Sequence, residues 1–147
     1  MFASKALFKR YAECYSVKKA APLARTLGIA PQTVQAWQRG ENPVPPVRLR
    51  KVVVEMGVSW DWLLEGLEPK LRHTRTLKPP ETFDWEEINA RFLSLFTGKT
   101  QEEIAEELGI RQVNVSRWKS CVMHVPWDKL RHAVTVYGVT WDWLLEG

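Results

Sequence analysis

The feature that most constrains this chain is an internal repeat. Residues 27–66, LGIAPQTVQAWQRGENPVPPVRLRKVVVEMGVSWDWLLEG, align without a gap with residues 108–147, and 19 of the 40 paired residues are identical. Repetition on this scale means that the chain consists of two copies of one structural unit. The sequence therefore predicts a first domain over residues 1–66, a Pro-containing linker over residues 67–82 and a second domain over residues 83–147.

Apolar residues recur at helical spacing in both units, so the predicted fold class is all-α, with two tandem five-helix domains. In the first unit a short helix over residues 19–27 ends at Gly28, and another over residues 30–39 follows after about three residues. Two short helices joined by such a turn form a helix-turn-helix. Ser59 is predicted to cap the last helix of the first unit, and Thr100 the second helix of the second unit.

A helix-turn-helix binds DNA by placing its second helix in the major groove, where outward side chains contact the bases. With Val34 and Trp37 facing inward, base contacts are expected from eight side chains. These are Gln32, Thr33, Gln35 and Ala36 in the first unit, and Gln112, Asn114, Ser116 and Arg117 in the second. Gln suits adenine and Arg suits guanine. Phosphate contacts are expected from Lys18, Lys19, Arg39 and Lys119.

The runs LGIAPQTVQAWQRG and GVSWDWLLEG resemble the DNA-binding domain of phage CI-type repressors, within the lambda-repressor-like (XRE) helix-turn-helix family. LGIRQVNVSRWKS with GVTWDWLLEG resembles it again. The resemblance implies five-helix domains that bind operators, and a Gln opening helix two that contacts phosphate. Gln101 matches that Gln, whereas Ala20 stands at its equivalent. The family's C-terminal oligomerisation or self-cleaving domain has no counterpart, so autoproteolytic induction is not expected, and Cys121 replaces the Gly that closes the recognition helix at Gly40.

Charge divides the chain unevenly. Residues 1–66 hold ten Lys and Arg against five Asp and Glu, whereas residues 82–147 hold seven against ten. A basic first half favours a polyanionic partner, and the second half favours it less. The acidic run Glu102, Glu103, Glu106 and Glu107 fits a solvated helix face, or a second unit that binds a protein partner. In the linker, Arg72, Arg75 and Lys78 fit an ordinary soluble linker, with a minor-groove arm as the alternative.

Trp37 and Trp118 are expected in the two cores. The pairs Trp60 with Trp62 and Trp141 with Trp143 are harder to bury together, so one member of each is expected at the surface, where it would be a tolerated aromatic or mark a contact.

No arrangement for catalysis and no phosphate-binding glycine loop is present, so an enzyme is not expected, and no cofactor is implied. Cys121, His124 and His132 lack an established metal-ligand spacing. Cys14 and Cys121 suit free thiols in a reducing cytosol. No apolar run of membrane-spanning length is present, so we expect no membrane partner and a cytoplasmic location, at the nucleoid of a bacterial or phage-infected cell.

These patterns predict a sequence-specific regulator of transcription, of phage-repressor type, that binds double-stranded operator DNA through two recognition helices on adjacent non-identical half-sites. The alternative is that the first unit binds DNA while the second mediates homodimerisation or binds another protein. Nonspecific DNA packaging is a weaker third hypothesis.

Overall fold

A computed structural model describes residues 4–71 and 82–147, and it confirms the predicted all-α class. The described residues form ten helices and no strand. The chain divides into two compact units, Met1–Thr82 and Phe83–Gly147, and each contains five of these helices.

The first unit packs its helices around Tyr11, Leu23, Trp37, Leu49 and Trp60, all of which are buried. Its helices are α1 (Lys5–Cys14), α2 (Ala20–Leu27), α3 (Pro31–Gln38), α4 (Pro46–Met56) and α5 (Trp60–Glu65). Pro45 is the N-cap of α4, and Pro46 is its first helical residue. Arg50 is also buried, although the apolar pattern gives no sign of it.

The second unit repeats this order around Phe92, Trp118, Leu130 and Trp141. Its helices are α6 (Trp85–Ser94), α7 (Gln101–Leu108), α8 (Gln112–Lys119), α9 (Trp127–Tyr137) and α10 (Trp141–Glu146). The core positions predicted for Trp37 and Trp118 are both confirmed, since these side chains are 4% and 2% exposed.

Both predicted caps are confirmed. The Ser59 hydroxyl accepts a hydrogen bond from the amide of Trp62 at 3.0 Å. Thr100 accepts from the amide of Glu103, whose carboxylate accepts from the amide of Thr100, so the two residues form a capping box. Such caps satisfy amides that a helix leaves without internal partners.

One arginine in each unit joins its first helix to its last. Arg10 Nε donates to Leu63 O at 2.9 Å and Arg10 Nη2 to Leu64 O at 2.8 Å. In the second unit Arg91 makes the equivalent bonds to Leu144 O and Leu145 O, at 2.9 and 3.0 Å. A cation at these carbonyls also suits the negative end of the helix dipole.

The start of the predicted linker belongs to the first unit. Ser59 N donates to Lys70 O at 2.7 Å, Ser59 Oγ donates to Pro69 O at 2.8 Å, and Val58 forms an antiparallel bridge with Leu71. We call Leu67–Leu71 the strap. The sequence predicted a linker here because its apolar residues show little periodicity. Hydrogen bonds to main-chain atoms of the strap hold it at the start of α5, and such bonds leave no pattern in the side chains.

Candidate nucleic-acid-binding surfaces

A turn of three residues joins α2 to α3 in the first unit and α7 to α8 in the second. Gly28 lies in the left-handed region at φ 66°, and the amides of Gly28 and Ile29 donate to Arg25 O and Ala24 O. In the second unit Gly109, at φ 64°, and Ile110 repeat both bonds. Glycine adopts this conformation without the cost that other residues incur, so the turn is encoded by one residue. α2 packs on α3, and α7 packs on α8.

On α3, three of the four predicted base-contacting residues are exposed: Gln32, Thr33 and Gln35. Ala36 was expected to be exposed with them, but it is buried, at only 8% exposure. Its position lies at the edge of the buried face, where a single methyl group is covered by neighbouring atoms. The exposed surface of α3 therefore offers amide and hydroxyl groups and no charge.

Arg39, a predicted phosphate contact, follows α3 at its C-cap and is paired. Its Nε lies 2.8 Å from Glu41 Oε1, and its Nη2 donates to Glu41 Oε2 at 3.1 Å. Both side chains are more than half exposed, so the pair contributes little to stability. The carboxylate nevertheless offsets the charge that Arg39 would bring to a phosphate.

On α8, Gln112, Ser116 and Arg117 are exposed and Asn114 is half-buried. Arg117 occupies the position that corresponds to Ala36, but its longer side chain extends to solvent. Its only described polar contact is a weak one, from Nη1 to the sulfur of Met123 at 3.9 Å. The Arg117 guanidinium is therefore available to a ligand.

The net charge around α3 and α8 ranks the two units in the opposite order to the net charge of the whole units. Residues 30–43 contain Arg39 and Glu41 and sum to zero, whereas the paired residues 111–124 contain three cations and no carboxylate and sum to +3. Those cations are Arg111, Arg117 and Lys119, all exposed, and none pairs with a carboxylate in the part of the chain that the structure describes. The second unit is acidic as a whole, yet its exposed helix is the more basic of the two.

The acidic run of α7 is partly engaged in structural contacts. Glu103 belongs to the capping box, and Glu107 accepts from Lys99 and from the Tyr137 hydroxyl. The hydrogen bond from Lys99, followed by that from Tyr137, lowers the pKa of Glu107. Glu102 and Glu106 remain exposed. Bonds within the unit thus account for Glu103 and Glu107, while Glu102 and Glu106 fit a solvated helix face.

The loop after the exposed helix keeps its form although its sequence changes. Cys121 adopts φ 57°, close to the 73° of Gly40. The amides of Cys121 and Val122 donate to Trp118 O and Arg117 O, which repeats the bonds after α3. The loop therefore keeps its conformation with Cys121 in place of glycine, although side chains disfavour this conformation.

A buried asparagine anchors this loop only in the second unit. Asn89 Nδ2 donates to Trp118 O at 3.1 Å and to Met123 O at 2.9 Å, while its Oδ1 accepts from Val125 N at 3.0 Å. Phe8 holds the equivalent position in the first unit and is buried there. Sequence reasoning missed Asn89, although a polar residue within the apolar stripe of α6 was the available signal.

Of the remaining predicted phosphate contacts, Lys18 and Lys19 are exposed immediately before α2, and neither has a carboxylate partner among the residues described. Gln101 is the first residue of α7 and is half-buried, and Lys119 is exposed near the end of α8. The predicted minor-groove arm, Arg72, Arg75 and Lys78, lies outside the described residues.

The described residues contain no group of three His, Cys, Asp or Glu side chains that could bind a metal ion. His124 stacks on Trp85, with ring centroids 4.2 Å apart. Burial raises the pKa of the Cys14 thiol to about 11, so this group stays protonated near neutral pH. Across both described ranges, no helix combines the length and apolar character needed to cross a membrane.

Comparison with protein-family models, with curated proteins and with solved structures found no match to this chain.

Proposed function

We propose that this chain binds double-stranded DNA in a sequence-specific manner and regulates transcription, with each unit acting as a lambda-repressor-like helix-turn-helix domain of phage-repressor type. The observation that carries the proposal is that α3 and α8 follow identical turns and expose different polar side chains. A recognition helix needs a fixed position and a variable surface, and this pair of helices has both.

The exposed groups assign different tasks to the two helices. Gln32 and Gln35 offer paired donors and acceptors that match adenine, whereas Arg117 matches the O6 and N7 acceptors of guanine. Lys18, Lys19 and Lys119 supply the charge for phosphates. The two half-sites are therefore expected to differ in sequence. DNA binding by α8 is expected to depend more strongly on salt than DNA binding by α3.

The strap limits how far apart the half-sites can be. Since Leu67–Leu71 is bound to α5, only residues 72–82 are left as a connection, and eleven residues reach at most about 40 Å. Half-sites one helical turn apart are separated by about 34 Å. The length of this connection is therefore compatible with adjacent half-sites one turn apart.

The test is selection of bound sequences from random duplexes with the full chain, followed by footprinting. Two dissimilar protected segments under one monomer are the expected result. Duplexes enriched without any sequence in common, and affinity that depends on salt alone, would instead indicate nonspecific packaging.

One observation favours the alternative role of the second unit. Val113, Val122 and Met123 are 40%, 73% and 40% exposed, and Glu41 and Asn42 stand where the second unit has Val122 and Met123. Exposed apolar side chains beside α8 suit a protein partner. A palindrome protected by a dimer, with contacts from α3 only, would support DNA binding by the first unit and dimerisation by the second.

A further inference from the structure

On α8 an exposed valine lies one helical turn from the exposed arginine. Val113 is the second residue of the helix and is 40% exposed, and Arg117 follows four residues later and is exposed as well. Residues four apart project from the same side of a helix, with Cβ atoms about 5 to 6 Å apart. Val115 and Trp118 are buried on the core side of α8, at 1% and 2% exposure. Val113 and Arg117 therefore form one outward pair.

The guanidinium of this pair lies beside apolar atoms. Arg117 Nη1 lies 3.9 Å from the sulfur of Met123, and Met123 is 40% exposed. The main chain of Met123 is held in place, because its carbonyl oxygen accepts from Nδ2 of the buried Asn89 at 2.9 Å. No carboxylate pairs with Arg117 in residues 4–71 and 82–147. An arginine in these surroundings suits a ligand that offers hydrogen-bond acceptors next to an apolar group.

The recognition helix of the first unit presents a different pair. Gln32 and Ala36 hold the positions of Val113 and Arg117, and Ala36 is buried. The outward surface at these two positions of α3 is therefore a polar amide. An apolar group next to a cation distinguishes α8 from α3, and α3 serves as an internal comparison.

The chemistry of this pair matches two groups in the major groove of DNA. Guanine presents two acceptors, O6 and N7, which Arg can bind together, and thymine presents an apolar 5-methyl group. A valine side chain has no donor or acceptor, so it gains affinity only by burial against an apolar group. Successive base pairs are about 3.4 Å apart, so two side chains on one face of a helix can reach neighbouring base pairs.

We propose that Val113 and Arg117 together select a guanine next to a pyrimidine that carries a 5-methyl group, with Arg117 on the guanine and Val113 on the methyl group. This methyl group belongs to thymine in unmodified DNA and to 5-methylcytosine in methylated DNA. The inference rests on the proposed DNA binding by α8 and names the sequence element that α8 prefers. Burial of one methyl group is expected to change the affinity about fourfold.

The test starts from the DNA sequence selected by the full chain. Each thymine of that site is replaced singly by deoxyuridine, which removes only the 5-methyl group, and the dissociation constants are measured. One thymine, next to the guanine whose selection is lost in Arg117→Lys, is expected to be sensitive, with affinity falling about fourfold. A cytosine placed at the same position is expected to bind about fourfold more tightly when it is 5-methylated.

Val113→Ser assigns this sensitivity to one side chain. The variant removes the apolar surface, so DNA with thymine and DNA with deoxyuridine should bind equally well. Gln32→Ser, the matched change on α3, and Val136→Ser, at a residue of α9 that is 58% exposed, should keep the fourfold difference. Chemical unfolding of the three variants checks that each remains folded.

The outcomes separate this inference from the proposed function. Specific binding in which no thymine is sensitive to the loss of its methyl group would overturn the inference and leave the proposed function standing. A fourfold difference that persists in Val113→Ser would do the same, as would an effect of Val113→Ser on self-association of the chain alone, which would assign Val113 to contact between copies. The absence of any preferred DNA sequence would overturn the proposed function and this inference together.

Discussion

The exposed helices α3 and α8 follow the same turn, yet α3 presents uncharged amides and a hydroxyl. α8 and its N-cap present three cations, none of which pairs with a carboxylate among the described residues. Net charge over the whole units gives the opposite order, because none of the ten carboxylates in residues 82–147 falls between residues 111 and 124. The comparison teaches that the position of charges on the fold, and not their sum, indicates which surface can face a polyanion. The acidity of the second unit is therefore a weak argument against DNA binding by α8.

The largest expected effect comes from residues 89 and 8, which hold equivalent positions in α6 and α1. Asn89 hydrogen-bonds the main chain after α8, whereas Phe8 packs in the core of the first unit. Asn89→Leu should lower the free energy of unfolding of the second unit by about 3 kcal/mol, because three main-chain groups lose a buried partner. Phe8→Leu, the matched change, should cost the first unit only about 1 kcal/mol, because it removes packing alone. Chemical denaturation, followed by spectroscopic signals that report on each unit separately, measures both free energies of unfolding. Equal losses of stability in the two variants would contradict the proposed difference between Asn89 and Phe8.

Base contacts provide the next comparison. Arg117→Ala should weaken binding to the selected DNA by about 2 to 3 kcal/mol and relax specificity in one half of the site, and Gln35→Ala should cost about 1 kcal/mol in the other half. Arg117→Lys is the control, because it keeps the charge but loses the planar fork, so specificity should fall while salt dependence stays. Titrations of each variant with the selected DNA and with altered sequences, at several salt concentrations, test this. An equal loss of affinity for all DNA sequences would refute base contacts by Arg117.

The loops after α3 and α8 give a smaller, opposite pair of effects. Cys121→Gly should stabilise the second unit by about 0.5 to 1 kcal/mol, since relief of the left-handed conformation exceeds the entropy that glycine loses on folding. Gly40→Ala should destabilise the first unit by about 1 kcal/mol. Thermal or chemical unfolding of the two variants checks the signs, and a destabilising Cys121→Gly would show that the thiol makes a favourable contact.

The smallest effect concerns the acidic face of α7, which has no counterpart on α2. Tyr137→Phe should cost about 0.5 kcal/mol at pH 7, because the Glu107 carboxylate loses a hydrogen bond. The pKa of Glu107 is lowered by folding, so its contribution is present above the ordinary glutamate pKa of about 4.3 and is lost as the pH falls through the folded value. Unfolding measured from pH 7 to 3 should show variant and parent converging.

Much of the fold could be predicted from local signals. The glycines at 28 and 109 and the hydroxyls of Ser59 and Thr100 act within a few residues of themselves, so the sequence displays them directly. The bonds of Asn89 span 29 to 36 residues and end on main-chain atoms, and no sequence pattern reports such partners. The strap was missed for the same reason.

The candidate site was predicted less completely than the fold. A helical pattern assigns positions to faces, and it placed Gln32, Thr33, Gln35 and Arg117 at the surface, where the structure has them. It failed for Ala36, because exposure at the edge of a face depends on side-chain length. It also could not show that Glu41 pairs with Arg39, since Glu41 belongs to the irregular loop that follows the helix.

The arginine bonds from Arg10 and Arg91 have a consequence for how this chain arose. Each guanidinium ties the first helix of a unit to its last, so the beginning and end of every unit are fastened to each other within that unit. The first and last helices of each unit are thus held by that unit's own residues, and its chain ends can be joined to other sequences. Tandem copying of the gene segment could therefore yield two working folds at once, each free to diverge at its surface.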